Sequence, residues 1–532
     1  MRIRAVLALL LCLILALCGC SPVSDFGSVS EGAQTEVAAQ NKLHLLYNET
    51  DSLNPYAVTT KENKEIGYLM FDSLITLDTS FEPVYELAES IVLEGKTCTA
   101  RLKNILFSDG TRLTADDVVY SFNLAKNSAT QYAAQLYSAE KATATAVDTV
   151  TFTLTKADPF FINLLDFPII KKESENIKSE DNIVLPPIGS GRFVYDKANS
   201  ALRPNLNYYG TPSDIKSVNL INAPGSESIN HYVSAGVVSF CYSDYSSNTV
   251  PQMSGMKVSV PLNNLVYIGI NMADSRLSNP YLRYAISSAV DRNELVTEAY
   301  YGNGTAASGP FNPLWEHGKG FQTLENKSNL QISVVNLEKI GYNSVDNEGF
   351  RIGANGKRLT LRLLINSDNP ARVAAGRLIS NRLGKAGIAV ETVAVDYETY
   401  LSKLYSRSFD LYLGEVKLLG NMDISSLVMP GGSAAFGIVE PQAPDATAEG
   451  ETPSGENVID TSGITLTSAN AVRGYYDGTY TIGDVASALL SEMPIIPLLY
   501  RSGITMLSPD FASAPHISQS DLFYDINNFK LK

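Results

Sequence analysis

The sequence predicts an α/β protein with more than one domain. The clearest signal lies in residues 358–415, where the strand-like runs RLTLRLLI, IAVETVAV and FDLYLGEV alternate with two helix-like segments. Strands separated by helices of this length form βαβ units around a parallel sheet. The chain has 532 residues, and a single hydrophobic core stops growing at roughly 250–300 residues. We therefore expect two or three domains.

The amino terminus has the pattern of a secretory signal. Arg2 and Arg4 precede the apolar run Ala5–Cys18, and a basic flank before an apolar segment of this length is typical of export signals. We predict a signal peptide over residues 1–19 and a flexible tether, rich in Ser, Gly, Ala and Gln, over residues 20–41. Beyond this leader no apolar run reaches the roughly 18 residues that a membrane-spanning helix needs.

The next part of the chain predicts short strands and one capped helix. Residues 97–105 and 149–156 alternate apolar and polar side chains, as half-buried strands do. Between them, Thr114 and Asp117 have the spacing of a capping box, which predicts a helix that begins after Thr114. The run VYIGINMA, residues 266–273, predicts a buried central strand.

The last third predicts further helices and one unusual loop. Asn279 followed by Pro280 predicts the start of a helix. Residues 418–472 contain seven acidic residues and no Lys, Arg or His. Within them, residues 440–460 predict a solvated acidic loop. The chain then resumes with a predicted helix and apolar strand over residues 483–507.

Charge and motif content exclude several functions. The 41 Lys and Arg residues against 56 Asp and Glu residues give a net charge of −15, whereas nucleic-acid binding needs a basic surface. The histidines lack metal-ligand spacing, so we expect no metal site and no cofactor; they are His44, His231, His317 and His516. With no recognisable nucleophile, metal set or phosphate loop, the sequence favours a binding protein over an enzyme.

Two cysteines lie beyond the leader, Cys98 and Cys241. In an oxidising compartment they could pair as a disulfide. The apolar residues around each favour the alternative of two buried free thiols.

Aromatic residues supply candidate ligand contacts. The chain has 28 tyrosines, and a tyrosine offers apolar area with one hydroxyl, which suits a small or peptide-like ligand in a cleft. The only tryptophan, Trp315, lies in the irregular segment GPFNPLW. It is predicted either to line a cleft or to pack between domains.

Five segments carry a family resemblance. They are LNPYAVTTKENKEIGYLMFDSLITLD, LKNILFSDGTRLTADDVVYSF, PPIGSGRFVYDK, YIGINMADSRLSNPYLRYAISSAVDRNELV and SEMPIIPLLYRSGITML. In order and spacing they resemble the large peptide- and nickel-binding class of bacterial ABC-transporter solute-binding proteins, over residues 42–532. The resemblance implies an α/β, two-lobed periplasmic-binding-protein-like (type II) fold with an extra subdomain inserted in the first lobe.

The same resemblance implies how the chain is divided and what it does. The first lobe would span residues 42–270, with the inserted subdomain at 70–185. The second lobe would span 271–488, including the acidic loop, and 489–532 would return to the first lobe. The protein would be a monomer that captures a ligand, in the first place an oligopeptide, and delivers it to the permease subunits of an ABC importer. A ligand-sensing receptor of the same fold and a secreted hydrolase are the alternatives.

Two further likenesses concern single residues. Leu17-Cys18-Gly19-Cys20 resembles the lipobox of bacterial lipoproteins, which implies a lipid on Cys20 that anchors the protein to the outer face of the cell membrane. Peptide-binding members hold the peptide amino group with an Asp shortly after a strand equivalent to FDLYLGEV. No Trp follows that strand here, and Glu415 or Asp423 are the candidates for this role. The residues expected to line the cleft are Tyr47, Asn48, Trp315, Glu415 and Asp423.

Overall fold

The computed structural model describes residues 41–244, 252–439 and 467–532. The predicted signal peptide, Cys20, the tether up to residue 40 and the acidic loop at 440–460 lie outside the described residues. Within these three ranges, no helix combines the length and the apolar character needed to cross a bilayer.

Strands occur throughout the described chain. Their bounds are β1 (Lys42–Tyr47), β2 (Ile75–Leu77), β3 (Pro83–Tyr85), β4 (Ala88–Glu94), β5 (Thr97–Leu102), β6 (Ala139–Ala146), β7 (Thr149–Leu154), β8 (Phe193–Asp196), β9 (Ala201–Pro204), β10 (Ser217–Asn222), β11 (Phe240–Ser243), β12 (Met256–Ile270), β13 (Gly304–Ala306), β14 (Ser344–Val345), β15 (Arg351–Ile352), β16 (Thr360–Asn366), β17 (Ala389–Val395), β18 (Leu411–Lys417) and β19 (Ile495–Leu507).

Helices cover and connect these strands. Their bounds are α1 (Lys61–Met70), α2 (Ala115–Asn127), α3 (Gln131–Gln135), α4 (Ser226–Ser234), α5 (Pro280–Ala289), α6 (Arg292–Glu294), α7 (Leu330–Lys339), α8 (Pro370–Lys385), α9 (Tyr397–Tyr405), α10 (Ser425–Val428), α11 (Ser468–Tyr476) and α12 (Ile482–Glu492).

The largest sheet has seven strands in the order β11-β19-β12-β18-β16-β17, with β13 paired to β19. Strand β16 is parallel to both β17 and β18, and α8 and α9 form the connections. The predicted βαβ units are therefore confirmed. Strand β12 is antiparallel to both of its neighbours, β18 and β19.

Two four-stranded sheets lie in the first half of the chain. One has the order β1-β10-β9-β8 and the other, β4-β5-β7-β6, is antiparallel throughout. Helix α2 contacts β6 and β7 of the second sheet. The capping box predicted for this helix is present, because the backbone N–H and the hydroxyl of Thr114 both donate to Asp117 Oδ2 at 2.8 Å. The predicted strands at 97–102 and 149–154 are also confirmed.

Buried apolar residues form three main cores, which we number. The first core unites both four-stranded sheets and includes Leu43, Phe122 and Phe523. The second and third cores cover the two faces of the large sheet. Because side chains alternate along a strand, Leu363 points into the second core and Leu364 into the third.

Strands β12 and β19 pass from one core to another. At one end of the pair, Val260 of β12 and Leu507 of β19 belong to the first core. At the other end, Val266 and Ile496 belong to the second. The pairing register shifts between Pro261 and Leu265, a bulge-like irregularity that bends a strand locally. This shift occurs where the pair leaves the first core.

Cys98 and Cys241 are both buried free thiols. Of the two alternatives for these residues, the unpaired one is therefore confirmed. Burial raises the pKa of each thiol to about 12, which keeps both protonated at neutral pH and makes them weak nucleophiles.

Candidate ligand-binding site

A cavity of about 230 Å³ opens where β18 ends, and we call it the central cavity. Its wall combines segments that are far apart in sequence: α1, α3, the end of β18 and the loop 518–520. Strand β18 reaches it at the carboxyl end, the edge of an α/β sheet at which ligands commonly bind. Its lining includes Tyr68, Gln131, Tyr132, Gln135, Asp166, Asn263, Lys417 and Ser520.

The central cavity contains two oppositely charged groups, the ammonium of Lys417 and the carboxylate of Asp166. Lys417 ends β18 with an exposed side chain. Although the side chain is exposed to solvent, the surrounding cavity wall removes much of the water from its ammonium. This desolvation lowers the Lys417 pKa, while the negative charges of Asp166 and Asp244 act in the opposite direction. Asp166 accepts hydrogen bonds from Gln135 at 2.5 Å and from Ser520 at 2.8 Å. Both of its carboxylate oxygens are thus already in use.

A second cavity of about 110 Å³ adjoins the first, and we call it the acidic cavity. The two share a wall made by Tyr68, Gln131, Tyr132, Asp166 and Ser520. The acidic cavity is also lined by three carboxyl groups and one guanidinium group, those of Asp72, Glu86, Asp521 and Arg192.

A glycine-containing turn at residues 187–193 contacts two carboxylates of the acidic cavity, those of Asp72 and Asp521. Gly191 packs so closely against the end of α1 that an added Cβ would lie 2.4 Å from the backbone carbon of Met70. The turn directs the hydroxyl of Ser190 to Asp72 Oδ2 at 3.1 Å and places Arg192 3.2 Å from Asp521. The resemblance pointed to this turn through its glycines but not to the charges it positions.

The carboxylate of Glu415 is fully engaged. Arg501 donates to Oε1 from Nε at 2.7 Å and Arg372 donates to Oε2 at 3.1 Å, and Asn264 donates to Oε1 at 3.0 Å. Burial alone would raise the Glu415 pKa, but the two guanidinium groups outweigh it and hold the pKa below its usual value. Both oxygens are occupied, so this carboxylate has little capacity left for a ligand amino group.

Asp423 contacts a tyrosine and a lysine instead of the arginines that pair with Glu415. It accepts a hydrogen bond from the Tyr137 hydroxyl at 2.5 Å, and Lys156 lies 3.9 Å from it. The ammonium of Lys156 also lies over the ring of Tyr476, 3.3 Å from its centre. Asp423 thus joins the segment that follows β18 to the antiparallel sheet and α11, and it does not line the central cavity.

Trp315 is completely buried in the third core. Its ring packs edge-on against Phe160 and Phe311, with centroids 4.9 and 5.6 Å away. No hydrogen-bond partner for its indole N–H occurs in the described part of the chain. This position corresponds to the packing alternative rather than to a wall of either cavity.

Tyr47 and Asn48 lie together at the end of β1. The backbone N–H of Asn48 donates to Asn63 at 2.9 Å, and its side-chain oxygen accepts from the backbone N–H of Thr50 at 3.0 Å. Burial raises the pKa of Tyr47 above its ordinary value. The structure therefore brings none of the five expected residues into the lining of the central cavity, and their roles as ligand contacts stay predictions.

The central cavity is lined by residues that were not among the predicted ligand contacts, including Tyr68, Tyr132, Asp166 and Lys417. Only Lys417 carries a sequence signal, because it is the last basic residue before the long segment without Lys, Arg or His. Within the described ranges, no group of three or more His, Cys, Asp or Glu side chains is placed to hold a metal ion.

The sequence of this chain is similar to those of known solute-binding proteins. A family model described as bacterial extracellular solute-binding proteins, family 5 middle, matches residues 82–427. The oligopeptide-binding protein AppA of Bacillus subtilis is 24% identical over 384 residues, which cover 68% of this chain and 70% of that protein.

Solved structures share the architecture. The periplasmic murein tripeptide-binding protein MppA, in its unliganded open form, has a TM-score of 0.68 at 18% identity, covering 92% of this chain and 95% of that one. NikA from Brucella suis, in complex with Fe(III)-EDTA, has a TM-score of 0.65 at 16% identity, covering 92% and 100%. At these identities the likeness concerns the fold.

Proposed function

This chain belongs to the bacterial extracellular solute-binding proteins of family 5, and from that membership we propose that it captures an oligopeptide and delivers it to an ABC importer. Its fold is that of the type II periplasmic binding proteins, as the sequence resemblance implied. Proteins of this family act outside the cytoplasm and are binding proteins, not enzymes. The hydrolase alternative is therefore dropped.

The central cavity is the observation that carries the peptide proposal. It combines aromatic surface from Tyr68 and Tyr132 with amide groups and opposite charges at Asp166 and Lys417. A peptide offers the same mixture of apolar side chains, amides and terminal charges, and ligand sites typically pair apolar walls with few polar groups. The similarity to AppA, an oligopeptide-binding protein, and to MppA, a murein tripeptide-binding protein, supports the same class of ligand.

We further propose that capture involves two lobes with the predicted division at residues 42–270, 271–488 and 489–532. The passage of β12 and β19 between cores supports this, because a register shift lies where the strands leave the first core. Hinge closure around a ligand uses a few residues at such element boundaries.

The proposed anchor is a lipid on Cys20 behind a tether that keeps the protein near its permease. A single acyl chain binds membranes only marginally, so more than one chain is needed for stable anchoring. Cys20→Ala should move the full-length protein from the membrane fraction to the soluble fraction without changing its affinity for peptide. Membrane retention of the variant would contradict the lipid assignment.

The peptide proposal is tested with purified protein. Native mass spectrometry should detect small molecules that copurify with the protein, and calorimetry should detect binding of a mixture of tri- to pentapeptides. Tyr132→Ala should weaken this binding, whereas Tyr405→Ala, which removes a tyrosine that is 75% exposed on α9, should leave it unchanged.

The outcomes separate the alternatives. Absence of peptide binding by the folded protein would remove the peptide proposal. If the protein binds peptide but cells that lack its gene take up peptide normally, the ligand-sensing receptor is favoured.

A further inference from the structure

We propose that the central cavity recognises its solute through a carboxylate and that Lys417 is the residue that selects it. The inference rests on the proposed function, because it names the chemical class of solute that the same cavity takes. It depends on the ammonium of Lys417, which makes no direct ion pair with a described residue, whereas other lysines of the described chain do.

The ammonium of Lys417 is the available charge. Its side chain lines the central cavity and is exposed to solvent there. No direct hydrogen bond or ion pair joins it to another described residue, although the charges of Asp166 and Asp244 act on it without direct contact. By contrast, Lys156 and Lys171 are paired with Asp423 and Asp109. An unpaired ammonium inside a cavity offers three donors to an incoming anion, and hydrogen bonds between ionised partners are among the strongest in proteins.

The neighbouring carboxylates are less available to a cationic solute. Asp166 accepts from Gln135 on one oxygen and from Ser520 on the other. Glu415, two residues before Lys417 and on the same face of β18, is neutralised by Arg372 and Arg501. A positively charged group in the central cavity would therefore meet occupied carboxylates and the repulsion of Lys417.

The remaining walls suit the uncharged body of a short peptide. Tyr68 and Tyr132 contribute aromatic surface, and Leu418 and Leu419 add apolar surface beside Lys417. Burial raises the pKa of both tyrosine hydroxyls well above neutral pH, so both remain hydrogen-bond donors. The carboxylate can come from the carboxyl terminus of a peptide or from an acidic side chain.

Calorimetry with four defined peptides distinguishes these sources. The probes are trialanine, trialanine amide, and the amides of alanyl-glutamyl-alanine and alanyl-lysyl-alanine. Trialanine should bind at least about tenfold more tightly than its amide, the effect of one charge-assisted hydrogen bond. If side-chain carboxylates are also accepted, the glutamyl amide should recover that loss and the lysyl amide should not.

Variants assign the preference to Lys417. Lys417→Met should reduce the affinity for trialanine to that of the amide while leaving the amide unchanged, and Lys417→Arg should retain the preference. The matched control is Lys141→Met, which removes an exposed lysine that also lacks a described partner but lies on β6. It should behave as the wild type does.

Three results would overturn the inference. Equal affinity of the wild type for trialanine and its amide would remove the carboxylate preference and leave the peptide proposal standing. An equal loss for both ligands in Lys417→Met would show that Lys417 does not select the carboxylate. Binding of none of the four peptides would overturn both proposals together.

Discussion

Asp72 is a buried carboxyl group of the acidic cavity, and burial, partly offset by Arg192, raises its pKa from 3.8 to about 7. Below about pH 4 this carboxyl holds its proton in both the folded and the unfolded chain. Between that pH and about 7 only the folded chain holds it. The folded state therefore binds more protons in this window, and the contribution of Asp72 to the free energy of unfolding falls as the pH rises.

Asp72→Asn should remove the decrease in the free energy of unfolding that Asp72 causes as the pH rises. The free energy of unfolding of the variant relative to the wild type should increase between pH 4 and 7, by up to about 1.4 kcal/mol per pH unit. Urea denaturation at several pH values measures it, with Glu140→Gln, a change at an exposed position of β6, as the control. A difference that is constant with pH would contradict the raised pKa.

Glu415 shows how far single residues of the site could be predicted. Its position at the end of a strand was correct, because the strand pattern is local. Its partners Arg372 and Arg501 come from α8 and β19, 43 and 86 residues away along the chain. No local pattern reports such contacts, so an apparently available carboxylate proved to be fully paired.

At the scale of the element, the cap of α2 gives a direct test of a sequence-based expectation. Thr114→Ala should reduce the free energy of unfolding by about 1 kcal/mol, because it removes the hydroxyl that donates to Asp117 Oδ2 and helps hold this carboxylate against the backbone N–H of residue 114. Thr114→Ser keeps the hydroxyl and should preserve most of the stability. Equal destabilisation by both substitutions would assign the effect to packing of the threonine methyl group rather than to the cap.

Elements with a strong local signal were predicted well, and their distant pairings were not. Asn279 caps the helix that begins at Pro280, as predicted, and the parallel pairing of β16 with β17 follows from the helix between them. The antiparallel placement of β12 between β18 and β19 joins segments separated by more than a hundred residues. Such pairings depend on the whole core, and periodicity within a window carries no information about them.

At the scale of the whole molecule, Trp315 reports on the proposed movement of lobes. It is the only tryptophan in the sequence, and Phe160, from the loop after β7, packs on its ring. Nearby, Tyr137 and Asp158 contact Asp423 and Asn421. These contacts join residues that flank the antiparallel sheet β4-β5-β7-β6 to the segment that follows β18.

Peptide binding should therefore change the fluorescence of Trp315. Trp315 is buried against Phe160 in this structure. If the proposed lobes separate without peptide and return to this contact when peptide binds, saturating peptide should shift the emission to shorter wavelength and protect it from acrylamide. Trp315→Phe should abolish the signal, while Tyr405→Ala should leave it unchanged. Identical emission with and without bound peptide would contradict movement at this contact.

The first core also bears on the order in which the chain can fold. Phe523 packs on Phe240 with ring centroids 4.7 Å apart, and Ser518 donates to the carbonyl of Leu77. Synthesis from the amino end delivers these partners hundreds of residues after Leu43 and Leu77, so the core that contains the first strand lacks part of its apolar surface until residues 507–529 have been made. A nascent chain in this condition remains incompletely packed for most of its synthesis. If the predicted signal peptide directs export, this delay would keep the chain incompletely folded, and therefore able to pass through a translocation channel, until its last residues are made.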